Sequence, residues 1–153
     1  MRGEHAVTIR RPADVVFALI ADGSRNASWR PWVMEVRLHS GNGGEGSEWR
    51  QLVRGPGGKP ADSDYVVTSC RPPHLYAYQV TSGPVRATAV YTLTEPDPGE
   101  TTVSLVLTLS PRGALRLLTG FVLRQMVDEL DSLERIGEVL SRPDGVSAQP
   151  PSS

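Results

Sequence analysis

The chain reads as an α+β protein, an antiparallel sheet wrapped around a long C-terminal helix with two short helices after the first strand. Three observations predict this. Six strand-like runs follow one another between residues 34 and 110, each bounded by Gly, Pro, Asn or Asp. The links between them are short, and short links demand antiparallel neighbours, because a parallel return needs a crossover of about a dozen residues. The last segment abandons this pattern for apolar residues at three- and four-residue spacing.

Each element has a local reason. In His5–Arg10, Ala6 and Thr8 alternate with Val7 and Ile9, giving a first strand. Pro12 suits the first turn of a helix, where its missing N–H loses no partner. Asp14 lies near the positive end of the helix dipole. Val15, Val16, Leu19 and Ile20 form the buried side, and Asp22-Gly23 ends the helix. A second short helix spans Ser24–Trp29 and stops before Pro31.

The six strands are Met34–Ser40, Ser47–Arg54, Tyr65–Arg71, His74–Thr81, Arg86–Glu95 and Thr101–Ser110. In the last, Val103, Leu105, Leu107 and Leu109 share one face; Thr102, Ser104, Thr108 and Ser110 share the other, with Val106 the exception. One side of the sheet is therefore covered and the other wet. Ser110-Pro111 is expected to cap and open the final helix, Arg112–Leu140, about 42 Å long at 1.5 Å per residue. Its inner stripe is Leu118, Val122, Met126, Leu130, Leu133, Gly137 and Leu140. Arg124, Asp128, Asp131, Glu134, Arg135 and Glu138 mark its solvent side.

Composition bounds the function. The 153 residues suffice for one domain, expected over residues 4–141, and residues 142–153 are expected to be a disordered tail with almost nothing to bury. Hydrophobic residues at 39% exclude a wholly disordered chain. Sixteen basic against 17 acidic residues leave a net charge of −1, so no global field draws nucleic acid or an anionic membrane, although a local basic patch is compatible with it. Lys59 is the sole lysine, a skew that points to a GC-rich, bacterial coding genome. Cys70 stands alone, which excludes an internal disulfide or a thiolate cluster. Met1-Arg2-Gly3-Glu4-His5 has no signal-peptide character, and the longest apolar stretch, Val15–Ala21, is far short of the roughly 20 residues that span a bilayer. A cytoplasmic protein without stable membrane insertion is expected.

The order of elements is that of the helix-grip fold, and the local wording agrees with it. The segment from Ile9-Arg10-Arg11-Pro12 through Ala21-Asp22 resembles the opening of the polyketide cyclase/dehydrase-like branch of the START-like (SRPBCC) superfamily. So do Trp29-Arg30-Pro31-Trp32, Gly46-Ser47-Glu48-Trp49-Arg50, Arg71-Pro72-Pro73-His74-Leu75, and Tyr91-Thr92-Leu93-Thr94 followed by Gly99-Glu100-Thr101-Thr102-Val103. The resemblance covers roughly Glu4 to Ser141. It implies a cavity between the concave face of the sheet and the long helix that holds apolar or aromatic small molecules. Lipid carriers, plant hormone receptors, ring-hydroxylase subunits and aromatase/cyclases share the fold, so the fold does not select among them.

A ligand site of this kind needs apolar walls and a few polar anchors. Trp49, Tyr65, Tyr76, Tyr78, Tyr91 and Phe121 are the candidate walls, and alternation puts Tyr78 and Tyr91 on the covered face with Leu93 and Leu105. The competing reading is that these rings only fill the core. Phe121 and Gln125 are expected to close the cavity from the helix, and Arg86 to supply a cation at the sheet's end, against a competing role as a solvated strand end. Trp29 and Trp32 either gate the mouth or clamp a turn. Glu35, Arg37, Glu48 and Arg50 are expected to pair across neighbouring strands.

Catalytic machinery is thin. His5, His39 and His74 are scattered without a metal-ligand spacing, so no metal or other cofactor is expected. Gly55-Pro56-Gly57-Gly58-Lys59-Pro60 lacks the first glycine, the hydroxyl residue and the helix of a phosphate loop, and reads as a hairpin loop. No nucleic-acid signature is present. The expected function is binding of a small hydrophobic or aromatic molecule, lipid- or polyketide-like, by a monomer or homodimer. The alternatives are an aromatase/cyclase-type enzyme performing aldol cyclisation and dehydration, and a protein-interaction module.

Overall fold

The computed structural model describes residues 1–142. The expected tail therefore lies, from residue 143 on, outside the described residues. β1 (Arg2–Ile9) leads into α1 (Ala13–Ala21), then a 3-10 turn (Gly23–Arg25) and the one-turn α2 (Asn26–Trp29). β2 (Val33–Ser40), β3 (Glu48–Arg54), β4 (Pro60–Asp62), β5 (Tyr65–Arg71), β6 (Leu75–Val80), β7 (Val85–Asp97) and β8 (Glu100–Pro111) follow, and α3 (Thr119–Ser141) closes the fold. The strands form one antiparallel sheet in the order β1-β8-β7-β6-β5-β3-β2, with the short β4 paired to β3. This is the expected α+β, helix-grip architecture. The meander is continuous, and the first strand joins it beside the last.

The alternation predicted for the final strand holds along its length. Val103, Leu105, Leu107 and Leu109 are buried and their neighbours are not. Residues sharing that face on β5, β6 and β7 join them in one apolar cluster with α1 and with Val122, Met126, Leu133, Ile136 and Val139 of α3. Burial of this kind stabilises by about 25 cal/mol per Å² of apolar surface and is what holds the helix on the sheet.

The structure revises the expectations in three places. Pro12 is the N-cap of α1, one residue earlier than expected, and has no side-chain acceptor to offer. Glu95 of β7 takes over: its carboxylate accepts from the Ala13 N–H at 2.8 Å and from the Gly99 N–H at 3.1 Å. Those two backbone donors hold its pKa below the usual carboxylate range. The loop read as a hairpin is one, and it returns as β4 against β3. The expected Glu35, Arg37, Glu48 and Arg50 pairing does not form. Arg37 stands opposite Arg50, and Arg50 turns instead to Asp64 at 3.4 Å and His39 at 3.2 Å.

The largest revision concerns α3. Ser110 and Pro111 do not cap it; they extend β8, paired to Arg86 and Val85 of β7. The Arg112 N–H then donates to the Pro84 carbonyl at 2.8 Å, and Gly113 turns the chain with φ +60° into a 3-10 segment, Gly113–Leu117. The helix has 23 residues, about 34 Å. Two extra sheet pairs outcompete a local capping signal here. α3 has no acid in its first turn and no base in its last. It thus forgoes the dipole interactions that contribute about 0.3–1 kcal/mol each at exposed helix ends.

The β6–β7 turn touches the β3–β4 hairpin so closely that it admits no side chain. Gly83 has φ +86°, and a Cβ there would sit 1.8 Å from the Asp62 carbonyl oxygen. Gly83→Ala is expected to destabilise the fold by about 2–4 kcal/mol, from strain plus backbone displacement. A denaturant midpoint unchanged from wild type would contradict this packing.

Candidate functional site

The interior is built from aromatic rings in a row across the sheet. Trp49 of β3 stacks on Tyr65 of β5, with ring centroids 6.2 Å apart. Tyr65 meets Tyr78 of β6 at 4.7 Å, and Tyr78 lies 6.4 Å from Tyr91 of β7. These are pairs of neighbouring strands whose inward positions line up, so the register places the rings side by side. Tyr76 extends the row toward α1, where it meets Phe17 edge-on at 6.1 Å. All four tyrosines of the chain are buried here.

Two short polar networks enter this aromatic layer from α2. Asn26, buried, donates from Nδ2 to Gln51 Oε1 at 2.9 Å and to the Tyr65 hydroxyl at 3.0 Å. The Gly23 turn lies flat on the same rings; a Cβ there would come within 2.7 Å of Trp49. The second network centres on Arg30. As C-cap of α2, Arg30 leaves the helix in an extended conformation (φ −119°), while its N–H still bonds the Asn26 carbonyl. Its side chain turns inward and is only 4% exposed. The guanidinium sits between Trp29 and Trp32, 5.9 and 5.4 Å from their ring centroids, a double cation–π contact. Nη2 donates to Glu129 Oε1 of α3 at 2.9 Å, and Glu129 is itself 5% exposed.

The electrostatics of this centre follow from burial. Desolvation is the largest influence on Arg30 and works against its charge, but the fields of Glu129, Tyr78 and Tyr91 and the hydrogen bond to Glu129 together outweigh it, and the guanidinium pKa lies above its ordinary value. Burial pushes the hydroxyls of Tyr65, Tyr76, Tyr78 and Tyr91 up, with Arg30 pulling back on each. At neutral pH the tyrosines are therefore hydrogen-bond donors and not bases. Within the pair, Nε of Arg30 and Oε2 of Glu129 have no hydrogen-bond partner among the described residues, and neither has the Tyr76 hydroxyl. One ion pair thus carries one free donor and one free acceptor within aromatic walls.

Of the residues expected from the sequence, Trp49, Tyr65, Tyr78, Tyr91, Leu93 and Leu105 are buried in this one cluster. Phe121 and Gln125, half-buried on the first turns of α3, meet Val53, Pro56, Pro84 and Val85 across a cleft at one end of the sheet. That cleft encloses about 20 Å³, room for a water and not for a ligand. Arg86 is a correction. Val85, Ala89 and Tyr91 point inward, so alternation turns Arg86 to the opposite face, where its Nε–H bonds the Gly83 carbonyl at 3.4 Å. Trp29 is a clamp in the core, packed edge-on against Tyr91 at 6.2 Å.

Sequence reasoning missed Arg30 and Glu129. A signal existed for Glu129, which lies three residues after Met126 and four before Leu133 on the buried stripe. Among the described residues, no group of three or more His, Cys, Asp or Glu side chains is placed to hold a metal ion. Among the described residues no helix is long and apolar enough to cross a membrane.

An antiparallel sheet gripping a long helix, with a polar centre between them, defines the START-like class. Residues 2–138 match the family model described as polyketide cyclase/dehydrase and lipid transport, and the chain belongs to that family. Its fold is similar to that of the aromatase/cyclase Zhui from Streptomyces sp. R1128, with a TM-score of 0.75 and 22% identity over 95% of this chain and 98% of that one. A START superfamily protein from Mycobacterium smegmatis also gives a TM-score of 0.75, at 14% identity over 92% of this chain and 99% of that one. A protein from Thermus thermophilus gives 0.72, at 17% identity over 93% and 100%. At these identities the likeness is one of fold. A search of curated proteins finds no match.

Two measurements test the centre. Arg30→Met leaves Glu129 buried and unpaired and is expected to cost about 3–5 kcal/mol, whereas Arg30→Met combined with Glu129→Leu restores wild-type stability or exceeds it. Equal loss in the single and double variants would mean that the pair is not coupled. In alkali, a folded tyrosine with a raised pKa holds its proton above the unfolded value of 10.0, where the unfolded chain has lost it. Stability is therefore complete below pH 10 and falls as pH rises beyond it. Tyrosinate absorbance should stay absent to about pH 11 and then appear for all four tyrosines together with unfolding. Stepwise ionisation in a still-folded protein would place the rings near water.

Proposed function

We propose that the protein binds a small apolar or aromatic molecule, lipid- or polyketide-like, between the concave face of the sheet and α3. One observation carries this reading: a buried guanidinium–carboxylate pair with a free N–H and a free carboxylate oxygen inside aromatic walls. Such a pair contributes little net stability compared with apolar residues of the same volume, and its value lies in what it can recognise. Arg30 and the tyrosine hydroxyls present donors to a carbonyl or phenolic oxygen, while Glu129 accepts from a hydroxyl. Arg30 and Glu129 neutralise each other, so the matching ligand is neutral with one polar end. Trp49, Tyr65, Tyr78, Tyr91, Leu93 and Leu105 would be its walls. Phe121 and Gln125 would swing outward to admit it, since their cleft is too small as it stands. Membership of the family described as polyketide cyclase/dehydrase and lipid transport supports the ligand class.

The convergence of Arg30, Glu129, Tyr78 and Tyr91 also favours the second reading, an aromatase/cyclase-type enzyme. There Arg30 and a tyrosine O–H would polarise one carbonyl while Glu129 takes the proton from the carbon beside it. The resulting enolate carbon would attack a second carbonyl, and loss of water would follow. Turnover of a poly-β-ketone mimic, abolished by Glu129→Gln with the fold intact, separates this reading from binding alone.

Binding is tested with a matched pair of probes, naphthol and naphthalene, followed through tryptophan fluorescence. Wild type is expected to bind naphthol at least about tenfold more tightly, the scale of one hydrogen bond to a charged group. Arg30→Met/Glu129→Leu should bind both alike. No saturable binding of either probe, together with no mass excess in native over denaturing mass spectrometry of fresh protein, would sink the proposal.

A further inference from the structure

The segment that enters α3 exposes apolar side chains that nothing in the fold explains. Leu117 is 84% exposed, and Leu118, Leu123 and Val127 are about half exposed. They belong to a stretch, Pro111 to Val127, that holds Arg112, Arg116 and Arg124 and no acid. All three arginines are exposed. The first acid to follow, Asp128, lies 3.8 Å from Arg124.

Other cations share this end of the molecule. The Arg112 N–H bonds the Pro84 carbonyl, which puts the segment against the β6–β7 turn that Arg86 follows. Arg54 and Pro56 of the β3–β4 hairpin line the same cleft as Phe121 and Gln125 of α3. The exposed Lys59 sits on that hairpin. Asp62 lines that cleft, and Asp128 and Asp131 line a neighbouring one together with Arg54. Arg112 and Arg116, both exposed and in no salt bridge among the described residues, thus flank the projecting leucines, in a chain whose net charge is −1.

We propose that this end docks reversibly on the surface of an anionic lipid bilayer. Leu117 and Leu118 would enter the boundary between headgroups and acyl chains, with the arginines lying among the phosphates above them. Protruding apolar tips flanked by long cationic side chains suit an interface that is apolar below and negative above. A second copy fits poorly, because a two-fold contact through this patch would bring the same arginines face to face. With a net charge near zero, attraction arises only at short range from the local cluster, so binding must weaken as salt shortens that range. The docked end is the one at which Phe121 and Gln125 close the cleft, but docking does not depend on what the interior binds.

The test is co-sedimentation of the full chain with phosphatidylcholine vesicles, alone or with about one-third phosphatidylglycerol. Binding to the anionic vesicles at low salt is expected, at least about tenfold weaker to the neutral ones and lost at high salt. Leu117→Asp/Leu118→Asp and, separately, Arg112→Glu/Arg116→Glu should each lower it at least about tenfold while leaving thermal unfolding and naphthol binding unchanged. Equal binding to both vesicle types, no binding to either, or variants that bind like wild type would overturn the proposal. So would a dimer in sedimentation velocity that Leu117→Asp/Leu118→Asp abolishes while lipid binding is absent, or an acidic protein that competes fully with the vesicles for the arginines.

Discussion

The contact between Arg30 and Glu129 organises the molecule, because it joins two elements that the sheet alone would not bring into register. A one-turn helix has too few internal hydrogen bonds to stand by itself in water. α2 persists because Asn26, Trp29 and Arg30 each reach a partner in the interior: Gln51 and Tyr65, Tyr91, and Glu129. The last of these lies on α3. Hydrophobic burial sets how firmly α3 lies on the sheet, while the directional ion pair selects its rotation and its position along its own axis.

The same contact sets the chemistry of the interior. Four tyrosines crowded in an apolar layer would leave their hydroxyls with a weak claim on any partner. A guanidinium among them supplies a fixed positive charge and a carboxylate beside it supplies the balance, so the layer gains polarity without net charge. Trp29 and Trp32 on either side of Arg30 keep water from the cation and offer their ring faces in exchange. The site is recognisable as one because its polar groups cost stability where they are.

Most of the framework is legible in the sequence, since it rests on periodicity. Period-two alternation marks the covered face of β8, and the three-and-four spacing finds Val122, Met126 and Leu133 of α3. What escapes depends on competition between levels. Ser110-Pro111 is a sound local helix start, yet it is overruled by pairing with β7, a gain that only the folded sheet can deliver. Pro12 offers no side chain to cap α1, and the carboxylate that serves lies more than eighty residues away in Glu95. Arg86 reads as a cavity cation from its place at the strand's start, although alternation from Tyr91 already turns it out. Glu129 stands on the buried stripe but carries a charge, which argues for the surface until its partner is known. Arg30 is hidden for a different reason. The direction of a side chain at a helix C-cap depends on the backbone torsion there, and Arg30-Pro31 alone does not specify it.

The sheet order has a consequence for how the molecule comes together. β1 pairs along its whole length with β8, from Arg2 opposite Thr108 to Ile9 opposite Thr101. The hairpins β5–β6, β6–β7 and β7–β8 join close neighbours and can form as soon as each is made, whereas β1 must wait for the strand farthest from it. During synthesis the first strand emerges without a partner and stays exposed until nearly the whole sheet has left the ribosome. Closing so long a loop puts this fold among the slower, roughly millisecond-to-second, folders. The polar and charged residues Arg2, Glu4, His5 and Thr8 along β1 keep that waiting strand from pairing with another chain. Assembly of the sheet thus ends with its first strand.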